Sequence, residues 1–154
     1  MRRTKSNILD EICNINSGVR LTKANMNEGK KPFIVATDSN KSLDKNVLGV
    51  NYNESVVENF YHPYECIFSD DVKRISFKDD EGQNKYCYMF LKQMILRQKE
   101  KYRYAYKFNV DRMARQKIMM PADEKSRINY RTIAHYTRAK ELENIISILK
   151  NREN

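Results

Sequence analysis

One segment near the middle of the chain has the apolar spacing of an α-helix that packs against a core. Apolar residues follow one another at i, i+3, i+4, i+7 and i+8, namely Cys87, Phe90, Leu91, Met94 and Ile95. This spacing places them on one face of a helix, which we expect to begin near Asn84. Such a face has to be covered by other elements, so the rest of the chain must supply them.

The residues before this helix have the composition of short strands instead. After a short helical piece over 7–13, runs rich in β-branched and aromatic residues alternate with polar turns. The predicted strands are 32–37, 46–52, 55–60, 66–68 and 72–78. A polar turn over 79–82 ends this part of the chain.

After the central helix, the segment 101–108 (KYRYAYKF) alternates with a period of two. Tyr102 and Phe108 share a parity with the tyrosines between them, while the other side is mainly basic, so we predict a strand whose aromatic face joins the core. A brief helix over 111–117 and a final strand over 118–121, ended by proline, complete this part.

The chain should be helical from Tyr130 to near its end. An apolar stripe spaced three, four and three is formed by Ala139, Leu142, Ile146 and Leu149, and Ile145 and Ile148 broaden it. We expect the stripe to meet another chain, with packing against its own domain as the alternative. The predicted fold class is α+β: a small mixed β-sheet recognition domain with packed helices (1–126), followed by a C-terminal amphipathic, coiled-coil-like helix (127–154).

The charge is concentrated in one segment. Lys and Arg number 29 against 20 Asp and Glu, a net charge of +9, and an excess of this size is typical of proteins with a polyanionic partner. Between residues 92 and 117 the acids are Glu100 and Asp111, whereas the basic residues are Lys92, Arg97, Lys99, Lys101, Arg103, Lys107, Arg112, Arg115 and Lys117. A solvated charged face is the alternative interpretation.

Cysteine usage and hydropathy favour a cytoplasmic protein without a membrane segment. Cys13, Cys66 and Cys87 are odd in number and widely spaced, which indicates neither a disulfide framework nor a metal site. No apolar run approaches the roughly 18 residues needed to span a bilayer, and the N-terminus lacks the apolar stretch of a signal peptide.

An enzymatic alternative rests on Asp71 and Lys73. An Asp-x-Lys pair on a strand can hold a metal ion and position a water in a nuclease. A further carboxylate would have to come from Asp38, Asp44 or Glu58. The glycines are dispersed, so no phosphate-binding loop is indicated, and His62 and His135 have no pattern of metal ligands or of a catalytic triad around them.

The residue types required for nucleic-acid binding are abundant by comparison. Cations neutralise phosphates, and polar side chains contact base edges. The candidate DNA-binding residues are Arg20, Lys23, Thr37, Asp38, Ser39, Asn40, Lys101, Arg103, Lys107, Arg112, Arg115 and Lys117. We expect no catalytic residue, no metal and no cofactor.

Five segments carry a resemblance to a known family. They are SGVRLTKANM (17–26), PFIVATDSN (32–40), SLDKNVLGVNYNESVVENFYHPY (42–64), FSDDVKR (68–74) and YKFNVDRMARQKIMMP (106–121). Together they resemble the target-recognition domain of type I restriction-modification specificity subunits, including the related domain fused to some type II restriction-methylation enzymes. The resemblance covers roughly residues 7–150.

This resemblance implies an α+β domain that binds double-stranded DNA in the major groove and has no catalytic activity of its own. It also implies a helix that packs against a methyltransferase subunit and a second such helix. A complete specificity subunit resembles two such units in tandem, so we expect a half-subunit, a truncated product or a detached segment that could pair two-fold. An assembly or inhibitory subunit that no longer reads DNA is a further alternative, because the connection at 40–42 is short.

Overall fold

The central helix forms over Lys85–Leu96, and Asn84 caps its first turn as the sequence predicts. The Asn84 Oδ1 accepts hydrogen bonds from the backbone N–H groups of Tyr86 and Cys87, both at 3.1 Å. These are two of the N–H groups that the first turn of a helix leaves without an intrahelical partner. The structure is a computed structural model, and it describes residues 3–18, 33–34, 43–51, 57–102 and 107–152.

Short strands and four α-helices make up the described part of the chain. The helices are α1 (Leu9–Ile12), α2 (Lys85–Leu96), α3 (Val110–Ala114) and α4 (Tyr130–Arg152), with 3-10 turns at Asp80–Gly82 and Lys99–Tyr102. The strands are β1 (Thr4–Ile8), β2 (Cys13–Ser17), β3 (Phe33–Ile34), β4 (Leu43–Asp44), β5 (Val47–Asn51), β6 (Asn59–His62), β7 (Cys66–Phe68), β8 (Val72–Phe77) and β9 (Lys117–Pro121).

The strands form three small sheets, as expected for a mixed α+β domain. An antiparallel four-stranded sheet has the order β2-β8-β5-β6. A three-stranded sheet has the order β3-β7-β4, in which β3 runs parallel to β7 and β4 antiparallel to it. The third sheet is the antiparallel pair β1-β9, which joins the two ends of the recognition domain.

The main core lies between the four-stranded sheet and α2. Strand β8 alternates in the manner of a buried strand, because Ile75 and Phe77 join the main core whereas Val72 packs into a smaller cluster on the other face. The α2 residues of the main core are Cys87, Tyr88, Leu91 and Ile95. Tyr130 and Ile133 of α4 belong to the same core, so the start of α4 is part of the domain.

Three sequence predictions require correction. The predicted helix over 7–13 forms only at Leu9–Ile12, because residues 4–8 pair with β9 as a strand. The strand predicted over 55–60 begins at Asn59 and runs to His62; Val57 lies in a turn with a φ of 71°.

The prediction of a strand over 101–108 is also wrong at both ends of that segment. Residues 99–102 form a 3-10 turn and residues 107–109 have no regular structure, while residues 103–106 lie outside the described residues. Tyr102 and Phe108 are nevertheless both buried, as predicted for the aromatic side. Within the described ranges, no helix is both long and apolar enough to cross a membrane.

Candidate nucleic-acid interface

Five of the predicted DNA-binding cations lie in one stretch of the fold, between α2 and the start of β9. We call them the cationic patch: Lys101, Lys107, Arg112, Arg115 and Lys117. Four of these side chains are exposed and Arg112 is half-buried. The patch thus begins within the 3-10 turn, continues through α3 and ends on the first residue of the last strand.

A buried glutamine holds this stretch together. The Tyr102 hydroxyl donates a hydrogen bond to the Gln116 Oε1 at 2.8 Å. The Gln116 Nε2 in turn donates to the Gln98 Oε1 at 3.2 Å and to the Lys117 carbonyl at 2.7 Å. Since buried polar networks fix local geometry, the turn that carries Lys101 is fastened to the start of β9, which carries Lys117.

An aromatic contact joins the end of the 3-10 turn to the residues just before α3. The rings of Tyr102 and Phe108 have centroids 4.4 Å apart, and both side chains are buried. Lys101 and Lys107 are their immediate chain neighbours, and both are exposed. The buried ring pair therefore fixes the backbone next to each of these two lysines.

The arginines of the patch are held by main-chain carbonyls. The Arg112 Nη1 donates to the Lys107 carbonyl at 2.7 Å, and the Arg115 Nε donates to the Asp111 carbonyl at 3.1 Å. Asn109 caps α3 by accepting a hydrogen bond from the Arg112 N–H at 3.0 Å. These contacts with neutral carbonyl oxygens orient the two guanidinium groups.

Three cations of the patch have no acidic partner within the part of the chain that the structure describes. Lys101, Arg115 and Lys117 take part in none of its ion pairs, and the Lys101 Nζ contacts the neutral Gln98 Oε1 at 2.6 Å. Phosphate groups are the partners that such a cluster of exposed cations is best suited to bind.

The remaining candidate residues lie outside the described residues. They are Arg20, Lys23, Thr37, Asp38, Ser39, Asn40 and Arg103. Five of the predicted phosphate-binding residues thus belong to the described part of the chain, whereas Arg103 and the predicted base-reading residues 37–40 do not.

The residues of the nuclease alternative are engaged in other contacts. The Lys73 side chain is buried and its Nζ donates to the Asp70 carbonyl at 2.5 Å. Burial lowers the pKa of Lys73, an effect opposed by Asp70 and Asp71. Glu58 forms an ion pair with Lys99, and Asp44 forms one with Arg74, while Asp38 lies outside the described residues. Among the residues that are described, no group of three or more His, Cys, Asp or Glu side chains could hold a metal ion.

The three cysteines behave as apolar residues. Cys13, Cys66 and Cys87 are all buried and unpaired with one another. Burial and the nearby Asp44 raise the pKa of Cys66 to about 11. The prediction that they are ordinary apolar residues is confirmed.

The second half of α4 carries an apolar surface that the domain does not cover. We call it the α4 stripe: Leu142, Ile145, Ile146, Ile148 and Leu149, each between 47% and 56% exposed. The first half packs on α2, where Phe90 and Tyr136 meet edge to face with centroids 6.4 Å apart. The predicted long helix is confirmed, and only its beginning folds back on its own domain.

Sequence reasoning missed a groove lined by methionines beside α4. Phe90 and Met94, which were predicted to be core residues, are only partly buried and line this groove. The groove joins residues of four elements from distant parts of the chain, so no local pattern indicated it.

The chain is similar in sequence to a known family and to a curated protein. The family described as "Type I restriction modification DNA specificity domain" matches residues 5–150. A curated relative, the specificity subunit S.BcgI of a type II restriction enzyme from Heyndrickxia coagulans, is 52% identical over 139 residues, which cover 83% of this chain and 40% of the relative.

Solved structures share the fold at low sequence identity. The HsdS subunit of Thermoanaerobacter tengcongensis matches with a TM-score of 0.68 and 14% identity over 98% of this chain and 40% of that one. The S subunit of a type I restriction-modification system from M. genitalium matches with a TM-score of 0.61 and 15% identity over 96% of this chain and 42% of that one. The chain therefore spans about 40% of the length of the proteins it matches.

Proposed function

Because the chain belongs to the family of type I restriction-modification DNA specificity domains, we propose that it binds double-stranded DNA sequence-specifically and directs the catalytic subunits of a restriction-modification system. The single observation that carries this proposal is the cationic patch. Buried contacts around Gln116 and Phe108 hold it in place, and three of its cations have no acidic partner in the described part of the chain.

Phosphate binding and base reading are divided between two sets of residues in this proposal. The cationic patch, together with Arg103, contacts phosphates and sets the orientation of the domain on the duplex. The polar residues 37–40 contact bases, and Arg20 and Lys23 complete the candidate DNA-binding set. This division separates affinity, which depends on salt, from sequence preference, which does not depend on the patch.

The α4 stripe supports a partner-binding role for residues 127–154, as distinct from the recognition domain 1–126. Five apolar side chains near half exposure on one helix are typical of a surface that another protein covers. We assign the stripe to a methyltransferase subunit and to a second copy or second half-subunit. A two-fold pair would read two halves of a symmetric, split site.

Specificity subunits of this family are in general non-catalytic. We accordingly propose that the chain needs no cofactor of its own and that methylation and cleavage are performed by partner subunits. The proposed DNA-binding role favours a location in the cytoplasm. The three buried cysteines, which form no disulfide with one another, favour the same location.

A binding selection tests the proposal. Purified chain, with and without a methyltransferase subunit of a related system, would be incubated with random duplexes, and the bound fraction would be sequenced. We expect a defined sequence to be enriched, more strongly with the methyltransferase. Association with the methyltransferase without any sequence enrichment would instead identify an assembly or inhibitory subunit, for which the α4 stripe alone would suffice. Cleavage of plasmid DNA by the chain with Mg²⁺, abolished by Asp71→Ala, would establish the nuclease.

A further inference from the structure

An apolar groove lies between α2, α4 and the β1-β9 pair. We call it the methionine groove, and its apolar wall is formed by Met89, Phe90, Met94, Met119, Pro121 and Tyr136. Its volume is about 490 Å³, which lies in the range of cavities that enclose a small molecule or a few side chains. Methionine is flexible and polarisable, so a wall of this kind adapts to different apolar partners.

Two helices supply parallel rows of the groove. Met89, Gln93 and Arg97 are spaced by four along α2, on a different face from the buried Leu91 and Ile95. Along α4 the lining residues Thr132, Tyr136 and Lys140 have the same spacing. Met119 enters from β9 and is 49% exposed, although its neighbours Ile118 and Met120 are fully buried.

The charged residues that line the groove are both cationic. Arg97 forms no ion pair with any residue of the described ranges, and Lys140 pairs only with the exposed Glu143, three residues further along the same helix. An exposed pair of this kind contributes little and can be exchanged for another partner. The Thr137 Oγ1 in the groove is buried and has no hydrogen-bond partner within the described part of the chain.

We propose that the methionine groove binds an apolar segment of the methyltransferase subunit that is flanked by Asp or Glu. One or two apolar side chains would enter the methionine wall, carboxylates would pair with Arg97 and Lys140, and a polar group would reach Thr137. This inference rests on the proposed function and deepens it, because it adds a second contact with the same partner next to the α4 stripe. Tyr136 and Lys140 of the groove lie six and two residues before Leu142, the first residue of the stripe.

Charge argues against two other occupants. The end of α4 carries Lys150 and Arg152, so the helix tip of a second copy would bring cations to a cationic rim. DNA phosphates could pair with the two cations, but the Met, Phe and Pro side chains that form most of the wall offer phosphates no hydrogen-bond donors. An acidic, apolar segment of another chain complements both the wall and the rim.

The test compares two groove variants with matched controls in the full chain. Met119→Glu places a charge on the wall, and Arg97→Glu reverses the rim. The controls are Tyr64→Glu, which is also 49% exposed but lies after β6, and Lys125→Glu, which lies in the exposed turn before α4. Calorimetric titration would give the Kd of each for the methyltransferase subunit, and a DNA-binding assay would be run in parallel.

We expect both groove variants to bind the methyltransferase at least tenfold more weakly, with both controls and all DNA affinities within about twofold of the wild type. Equal methyltransferase binding by the wild type and the groove variants would overturn the groove proposal and leave the proposed function intact. If the wild type does not bind the methyltransferase at all, both the groove and the partner assignment are wrong, while DNA recognition remains measurable. A loss of DNA affinity in Met119→Glu would assign the groove to DNA and overturn the proposal.

Discussion

The guanidinium of Arg74 and the carboxylate of Asp44 lie 3.4 Å apart and join the four-stranded sheet to the three-stranded sheet. The Arg74 side chain is only 8% exposed, whereas that of Asp44 is 34% exposed. Arg74 also donates through Nη2 to the Ser17 carbonyl at 3.0 Å. A charge buried to this extent needs compensation, and Asp44 supplies a negative charge from the neighbouring sheet.

Asp44→Asn should therefore lower the free energy of unfolding by about 1.5 kcal/mol, near the low end for hydrogen bonds to charged groups, because Asp44 itself remains partly solvated. Urea unfolding at pH 7 measures this change. Glu124→Gln, in an exposed turn, is the matched control. If the two variants are equally stable, the pair does not help to hold the sheets together.

The cap of α2 should contribute measurably to stability. Asn84→Ala removes the acceptor of two backbone N–H groups, and we expect a loss of about 1 kcal/mol. Asn84→Ser retains a capping oxygen and should lose less than half as much. Equal losses in both variants would show that the side chain acts through another contact, such as its bond to the Glu81 carbonyl.

His62 should make the protein less stable in mild acid. It is buried against Phe68, with ring centroids 5.1 Å apart, its Nδ1 has no hydrogen-bond partner within the described residues, and burial lowers its pKa. The unfolded chain, with a His pKa near 6.5, therefore takes up a proton before the folded chain does. The contribution of neutral His62 to the free energy of unfolding is fully present above the unfolded-state pKa. It is lost as the pH falls from the unfolded-state pKa to the lower folded-state pKa.

Unfolding free energies at pH 7.5 and 5.5 measure this effect in the wild type, in His62→Gln and in His135→Gln. We expect the acid-induced loss to be reduced in His62→Gln and retained in His135→Gln, since His135 is exposed. An unchanged loss in His62→Gln would assign the acid sensitivity to other groups.

The α4 stripe should matter for assembly and not for folding. Ile146→Glu replaces a side chain that is 52% exposed, so the unfolding free energy should change by no more than about 0.5 kcal/mol. Binding to a methyltransferase subunit, or to a second copy, should weaken at least tenfold by light scattering and titration. Ser147→Glu, on the opposite face of the same helix, should bind normally. Unimpaired assembly of Ile146→Glu would contradict the assignment of the stripe.

The sequence predicted the elements whose signals are local. These elements are helix α2 with its apolar spacing, the cap at Asn84 and the strand at 72–78. Each depends on residues that are close in the chain, and each formed as predicted. The segment 7–13 did not, because its conformation is decided by β9, more than 100 residues away. Similarly, the alternation in KYRYAYKF correctly indicated that Tyr102 and Phe108 are buried. It did not predict the backbone conformation at these two residues, because their rings pack against each other and do not lie along one strand.

The candidate site was also predicted only where its signal is local in the sequence. The density of charge along the chain indicated the cationic patch, because its members are close together in the sequence. No sequence pattern indicated the role of Gln116, because that role depends on its hydrogen bonds with Tyr102 and Gln98, which form only in the folded chain. The methionine groove depends on the same kind of distant packing.

The salt dependence of DNA binding tests the cationic patch most directly. Each phosphate contact steepens the fall of log affinity with log salt by about 0.9. Replacing Lys101, Arg115 and Lys117 by Gln should therefore reduce the slope by about 2 to 3 and weaken binding to all sequences alike. Replacing the exposed Lys125, Arg138 and Lys150 by Gln should leave the slope close to that of the wild type. Equal slopes for the two triple variants, or wild-type binding that does not change with salt, would contradict DNA binding through this patch.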